Sequence, residues 1–500
     1  MVIASILPPQ APTRPAVTIA TGMANSEHLK AVLTADWNDW RSRNPGVTPD
    51  LTGADLSGKD LSGKDLRRAD LTRANLSGAT LAGTDFSRAM LQMARFEGAS
   101  APGAIFEHCD LDFLDLTGIF LAGARLRAAS LQSCSLLNAN LAGADLTLTK
   151  LEGSDLNNAN LAGATLCDVN FRGVKIYGAH FDGADLSRSF FEGVAAPQGS
   201  FPNAIFARAN LKSSDFTGAD LRRAKFVGAV LRQSSLNAAD CERADFAEAD
   251  MELVSAVEAN FSGAQFDRAR LRKADLRGAL FLDAGGEDVS FIEAKLVKVD
   301  LRTARFERAN FRGADLSNAV LRRVNLKPYS FQGARFAHAD ASEAQAEGVD
   351  FSRADLSFGN FRQANLKRAN LSHVLAFEAD LSGTLLIGAN FLGANLESAD
   401  FRFSRAIGAD FTRARLAGAD FANADLSEAK FKSTHFWGAS ARRAKLPAAA
   451  GVLFSISTMF SKAKEKQVRG DDQKEKARQR RIEDLAAKAE KRPPHLTGKR

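Results

Sequence analysis

Cysteine is scarce in this chain, and the four present stand in the wrong places for chemistry. Cys109, Cys134, Cys167 and Cys241 share neither a metal-ligand spacing nor a redox motif. That excludes a zinc site, a thiol redox centre and a disulfide framework, and makes a reducing cytoplasm the expected compartment. Histidine is thin as well: His28, His108, His180, His338, His373, His435 and His495 are scattered with no ligand spacing among them. A P-loop and a dinucleotide fingerprint are both missing. No catalytic residue, cofactor, metal or small-molecule substrate is therefore expected, and the chain is not read as an enzyme. Long apolar runs are absent too. The stretch from Leu446 to Phe460 is too short and too serine-containing to span a bilayer. The leader, residues 1–24 with Pro8, Pro9, Pro12 and Pro15, lacks the charged start of a secretory signal and reads as flexible.

Nor does one sign of charge dominate where it first seems to. The formal net charge is +7, but residues 447–500 hold fourteen basic and seven acidic side chains. Residues 50–446 hold 48 basic against 49 acidic ones. The body of the chain is neutral, and the excess positive charge lies in the tail.

What is present is a period of five. Every fifth position from Leu51 to Leu446 holds Leu or Phe, with twelve exceptions and no slip of register. Neither regular element buries such a set by itself. On an α-helix, residues five apart spiral around the axis, and on a flat strand they alternate faces. They share one core only if the chain turns a corner in every pentad, which makes a solenoid. Two positions before the large residue stands a small one, as at Ala54, Ala69, Ala139 and Ala144, fit to point inward. Asp or Asn between them, as at Asp55, Asn75, Asn140 and Asp145, points outward. Leu141 and Leu161 are expected in the core. So are Phe391, Phe401, Phe411, Phe421 and Phe431, which a twenty-residue coil stacks on two opposite walls.

Glycine supports the same coil. Gly63, Gly83, Gly103, Gly123, Gly143, Gly163 and Gly183 recur every twenty residues, and one pentad earlier runs a column of Gly and Asn. The other two columns hold Arg68, Arg88, His108 and Ala128, or Arg73, Met93, Phe113 and Ser133. Positive φ is thus expected at two adjacent corners and not at the other two.

The pentads ADLSG, ANLSG, ANLAG and ADFTR follow A-(D/N)-L-x-x, and the chain resembles the pentapeptide-repeat family over roughly four-fifths of its length. The resemblance implies an all-β solenoid, a right-handed quadrilateral β-helix over residues 50–446 with four pentapeptides per coil. About twenty coils at about 4.8 Å each give a rod roughly 95 Å long. The chain itself is read as a cytoplasmic, bacterial, non-catalytic rigid scaffold for protein binding, with an unnamed protein partner. Some members imitate duplex DNA and act on DNA gyrase, but mimicry needs a strongly negative surface. Arg67, Arg68, Arg222, Arg223, Arg322 and Arg323 argue against one here.

The pattern is disturbed near Ala101–Pro102, Ala196–Pro202, Gly285–Gly286 and Ala341–Ala346. Of these, Ala341–Gly348 loses two consecutive wall residues and is the best candidate for an outward recognition loop.

A solenoid also needs its ends covered. Residues 25–46 carry Leu29, Leu33, Trp37 and Trp40 at helical spacing and are read as one N-terminal capping helix. Residues 447–461 form a short apolar segment, read as a C-terminal lid, with homodimer packing as an alternative. Residues 462–500 are a charged tail, helical or disordered. Its Lys462, Lys464, Lys466, Arg478, Arg480 and Arg481 are the candidates for contact with nucleic acid or an anionic membrane surface, which would make the protein membrane-peripheral.

Overall fold

The computed structural model describes residues 23–447, and these fall into two compact units divided between Thr165 and Leu166. Both are coils with one pentad to a side. In the first unit, Asp60 pairs in parallel with Thr80, and Asn140 with Asn160; in the second, Asp380 pairs with Asp400, and Asp400 with Asp420. Each partner lies twenty residues on, so a coil has four sides. Gly63 and Gly83 share one corner, as the glycine columns predict.

One pentad shows how the ladder is built. Leu141 N–H donates to Asn160 C=O at 2.7 Å, and Gly143 N–H to Ala162 C=O at 2.8 Å. Ala144 N–H closes the turn onto Leu141 C=O at 3.0 Å, and Asp145 N–H returns to Ala124 C=O at 2.9 Å. The amide donors of the pentad are thereby satisfied, as buried backbone must be. The outward Asp or Asn has a second task. Asp145 Oδ1 accepts the Thr147 N–H at 2.9 Å, and Asn140 Oδ1 accepts the Ala142 N–H at 3.1 Å. This is an Asx turn, and it accounts for the preference for Asp and Asn at that place.

The corners correct the sequence reading. Arg68 has φ 58°, Arg73 60°, Met93 61°, His108 58° and Phe113 65°, although all lie in the columns expected to need no special backbone. Positive φ occurs at every corner from Gly53 to Arg443 with two exceptions, Thr303 and Pro328. The corner amide is a ladder donor, so the hydrogen bond offsets the roughly 1–2 kcal/mol an L residue loses in that conformation. Arg or Phe at a corner is therefore tolerated.

The core is as the period requires. Leu141 and Leu161 are fully buried, and so are Phe391, Phe401, Phe411 and Phe421, while Phe431 on the last coil is half-buried. Phe391 stacks on Phe411 with centroids 4.9 Å apart and rings 3° from parallel, and Phe401 stacks on Phe421 at 4.6 Å. The small inward slot also takes a polar group that can reach a carbonyl. Thr84 Oγ1 donates to Leu61 C=O at 2.8 Å, and Cys109 and Cys134 direct Sγ to Phe86 C=O and Leu111 C=O. Burial pushes both thiols up to about 12, so they are inert core residues.

Before the first coil stand two short helices, α1 (Ser26–Val32) and α2 (Trp37–Arg43), where the sequence reading has one. The chain bends through Leu33–Asp36. Thr34 and Asp36 there are poor helix formers, and Thr34 turns its hydroxyl back to Ala31 C=O at 2.7 Å. The Asn25 side chain caps α1 by accepting the Glu27 and His28 amides. The bend leaves Leu33 46% exposed, so it is not a core residue; Val32 is buried instead, and Leu29 and Trp40 are half-buried. Trp37 is fully buried and donates Nε1–H to Asp65 C=O at 2.9 Å. Asn38 accepts the Asp65 amide and donates to Gly63 C=O, both at 2.8 Å, as a neighbouring strand would. Arg41 reaches Arg67 C=O at 2.9 Å.

Candidate functional site

In so regular a coil, a site is to be sought where the pattern fails. Ala341–Gly348 does not fail. Ala341 N–H still donates to Asn360 C=O at 2.7 Å, Ala346 N–H to Asn365 C=O at 2.8 Å, and Glu343 and Gly348 turn ordinary corners. The expected recognition loop is not formed. Phe336 and Phe361, whose centroids lie 6.2 Å apart, close over the space the alanines leave, so the wall has no reason to bulge. Ala101–Pro102 is equally regular.

The break lies between Gly285 and Tyr329. Gly285–Glu287 forms β1 and Arg305–Glu307 forms β2, paired in parallel with Gly286 opposite Phe306. Gly286 occupies a wall centre with φ 152°, where a Cβ would come within 2.7 Å of Phe266 C and 2.8 Å of Asp267 N. No larger residue fits. Thr303, within one coil of it, and Pro328, two coils on, are the two exceptional corners. Proline is locked near −65° and brings no amide to the ladder. Directly after it, Tyr329 fills a slot that elsewhere most often holds Ala; it is 9% exposed and lies 5.4 Å from Phe311 and 5.9 Å from Phe331. Burial pushes its hydroxyl up to about 12, with a hydrogen bond from the Phe306 backbone acting the other way.

The ladder opens around this tyrosine. Among the described residues, the bridge that the spacing calls for between Arg305 and Asn325 is not formed, although Asp300 pairs with Val320 and Asn310 with Ser330 on either side. The expected bonds from Phe306 N–H to Asn325 C=O, Arg308 N–H to Lys327 C=O and Asn325 N–H to Ala304 C=O are also unmade. The result is a surface cleft of about 710 Å³. Arg302, Arg305, Arg308, Arg323 and Lys327 line it, against one carboxylate, Glu307. Carboxylates outside the lining hold four of these cations. Asp300 takes Arg302 at 2.6 Å, Asp288 takes Arg308 at 2.8 Å, Glu343 takes Arg323 at 2.7 Å and Glu347 takes Lys327 at 3.0 Å. Arg305 is 82% exposed, with Asp283 no nearer than 3.8 Å.

On the wall of Asp400 the charges are paired in the same manner. Arg402 takes Asp400 through Nε at 2.9 Å and Nη2 at 2.6 Å, with Asp420 at 4.0 Å, so an arginine screens the column Asp380, Asp400 and Asp420. Among the described residues no group of His, Cys, Asp and Glu could hold a metal ion, and no helix is long and apolar enough to cross a membrane. The tail candidates Lys462, Lys464, Lys466, Arg478, Arg480 and Arg481, and the segment 447–461 beyond its first residue, lie outside the described residues. The sequence reading flagged Gly285–Gly286 but missed Pro328 and Tyr329, because it followed the wall centres and Leu326 and Phe331 there are regular. Proline at a corner that needs positive φ was the available signal.

A family profile described as "Pentapeptide repeats (8 copies)" matches residues 50–88, 89–127, 198–226, 224–253, 254–281, 287–326, 330–368, 364–402, 377–413 and 409–446. A second, "Pentapeptide repeat region", matches 124–201. Between residues 50 and 446, only 282–286 and 327–329 are left unmatched, and both gaps fall on the break. Solved structures that resemble the chain include HetL from the cyanobacterium Nostoc sp. strain PCC 7120, a pentapeptide repeat protein involved in heterocyst differentiation regulation. It is 27% identical, with 45% of this chain and 88% of that one covered and a TM-score of 0.20. QnrB1, a plasmid-mediated fluoroquinolone resistance protein, is 19% identical over 49% of this chain and 96% of its own, with a TM-score of 0.20. A pentapeptide repeat protein of the Arabidopsis thaliana thylakoid lumen is 31% identical over 19% of this chain and 66% of its own, with a TM-score of 0.13. No curated protein matches the chain.

Proposed function

The chain belongs to the pentapeptide-repeat family, and we propose that it is a non-catalytic cytoplasmic scaffold that holds a protein partner against a pre-set surface. The observation that carries this reading is the fixing of outward side chains by neighbours one coil away. Arg188 is held by Asp168 at 2.7 Å and Arg268 by Glu248 at 2.5 Å, each pair twenty residues apart. Such a surface loses little side-chain entropy when a partner docks. In the same reading α1 and α2 are a cap that keeps the first coil from pairing with another chain. The test is proximity cross-linking in cells, followed by reconstitution with the purified partner. A stoichiometric complex is expected, and the lack of one with every cross-linked candidate would defeat the reading.

Action on DNA gyrase as a DNA mimic is the alternative. A mimic must offer a continuous run of negative charge to a DNA-binding groove. Here arginines interrupt the acidic columns, as Arg402 does beside Asp400. In a supercoiling assay at modest salt the protein is expected to leave gyrase unaffected, and protection or inhibition would reverse the ranking.

A further inference from the structure

We propose that the opened seam between Ala304–Arg308 and Val324–Tyr329 binds an extended acidic peptide segment of the protein partner. The inference rests on the scaffold reading and gives it a place and a chemistry.

Two features of the seam select such a ligand together. The first is backbone. With the three ladder bonds unmade, the amides of Arg308 and Asn325 and the carbonyls of Ala304, Asn325 and Lys327 form two facing edges. Donors and acceptors alternating along a strand edge are what an added strand pairs with. A compact anion such as phosphate brings at most one or two O–H donors, too few and too close together to serve carbonyls spread along two edges. The second is charge. Five cationic side chains line the cleft against the single carboxylate of Glu307. Asp300, Asp288 with Glu287, Glu343 and Glu347 pair Arg302, Arg308, Arg323 and Lys327 from outside that lining, so those four are compensated and Arg305 carries the charge a ligand would meet. Arg305, exposed and loosely held, is free to take a carboxylate from a ligand in the bidentate manner. The cleft volume of about 710 Å³ is that of a ligand site. The seam is also built by sequence, since Gly286, Thr303, Pro328 and Tyr329 each depart from the repeat and all adjoin it.

The experiment uses the full chain and a fluorescein-labelled octapeptide of alternating Glu and Thr, followed by anisotropy. The peptide with Gln in place of Glu is the control. Two variants separate the two features. Arg305→Glu with Lys327→Glu removes charge and leaves the seam. Pro328→Gly with Tyr329→Ala restores an ordinary corner and an ordinary small slot, closing the seam with every charge intact. Each double variant is expected to bind at least tenfold more weakly than the parent, while Arg405→Glu, five coils along the same wall and away from the seam, stays within twofold. Full binding by the repaired variant would overturn the proposal, as would displacement of the peptide by millimolar inorganic phosphate. The charge variant keeps its consensus core, so the proposal remains testable should the repaired one fail to fold. A partner complex that survives in the repaired variant would sink the seam inference and leave the scaffold reading standing. Peptide binding as expected, with no stoichiometric protein partner, would do the reverse.

Discussion

Phe306 touches Phe266, two coils away in the sequence, because Gly286 between them has no side chain. The ring centroids are 6.3 Å apart at 61°, and Phe306 also meets Phe281 at 6.1 Å and Phe291 at 5.2 Å. The ring leans back into the space above Gly286, and Tyr329 occupies the space on the other side.

Gly286→Ala is therefore expected to destabilise the protein by about 2–4 kcal/mol, since its Cβ would strike the backbone of Phe266 and Asp267, which cannot rotate away. Urea unfolding measures it. Gly63→Ala, at a corner where a Cβ meets nothing within 4 Å, should cost about 1 kcal/mol from its φ alone.

Inside and outside can be tested as a pair. Leu141→Asp buries an unpaired charge at a fully buried position and should cost several kcal/mol. Arg223→Ala on the exposed corner should change stability by less than about 0.5 kcal/mol. Equal shifts in Tm would invert the assignment of faces.

Trp37→Phe keeps most of the packing but loses the indole bond to Asp65 C=O, and should cost about 1 kcal/mol. Trp37→Ala also loses the 5.0 Å stack on Trp40 and should cost about 3–5 kcal/mol. Thermal unfolding followed by near-UV circular dichroism distinguishes the two, and equal losses would place the tryptophan outside the packing.

Acid should weaken the coil in a defined window. The Arg222 guanidinium holds the Asp220 carboxyl below its usual 3.8, and Arg302 does the same for Asp300. For a depressed folded pKa the unfolded chain binds more protons, so the stabilisation is present above about pH 4 and is lost as pH falls through the folded values. Tm should be level from about pH 7 to 5 and fall below about 4. Arg222→Ala should flatten part of that fall, and an unchanged acid limb would mean the pair adds nothing.

The walls could be read from the sequence because a five-residue period has only one way to bury Leu141, Leu161 and Phe391 together. The twenty-residue coil followed from where glycine recurs. The corners were misread for a physical reason: Arg68 and Phe113 adopt positive φ against their own preference because the ladder requires it, and composition records only the preference. The bend after Val32 that exposes Leu33 was hidden by a helical pattern running through it. The site was half visible. Gly286 stood out as a missing wall residue, but Pro328 and Tyr329 act from positions where many residues are allowed, and the unmade bonds between Arg305 and Asn325 are a property of two coils at once.

The parallel pairing of residues twenty apart makes a side chain's outlook a matter of counting. Asp380, Asp400 and Asp420 share a wall because each is one full circuit from the next. Five residues duplicated after Gly393 would keep Leu or Phe at every fifth place and leave the interior satisfied, yet would carry Asp400 and Asp420 round by a quarter turn, off the column of Asp380. A lineage built this way can rearrange what it shows to its surroundings in steps of a single pentad while its interior stays indifferent, and can lengthen without rearranging anything only by whole circuits.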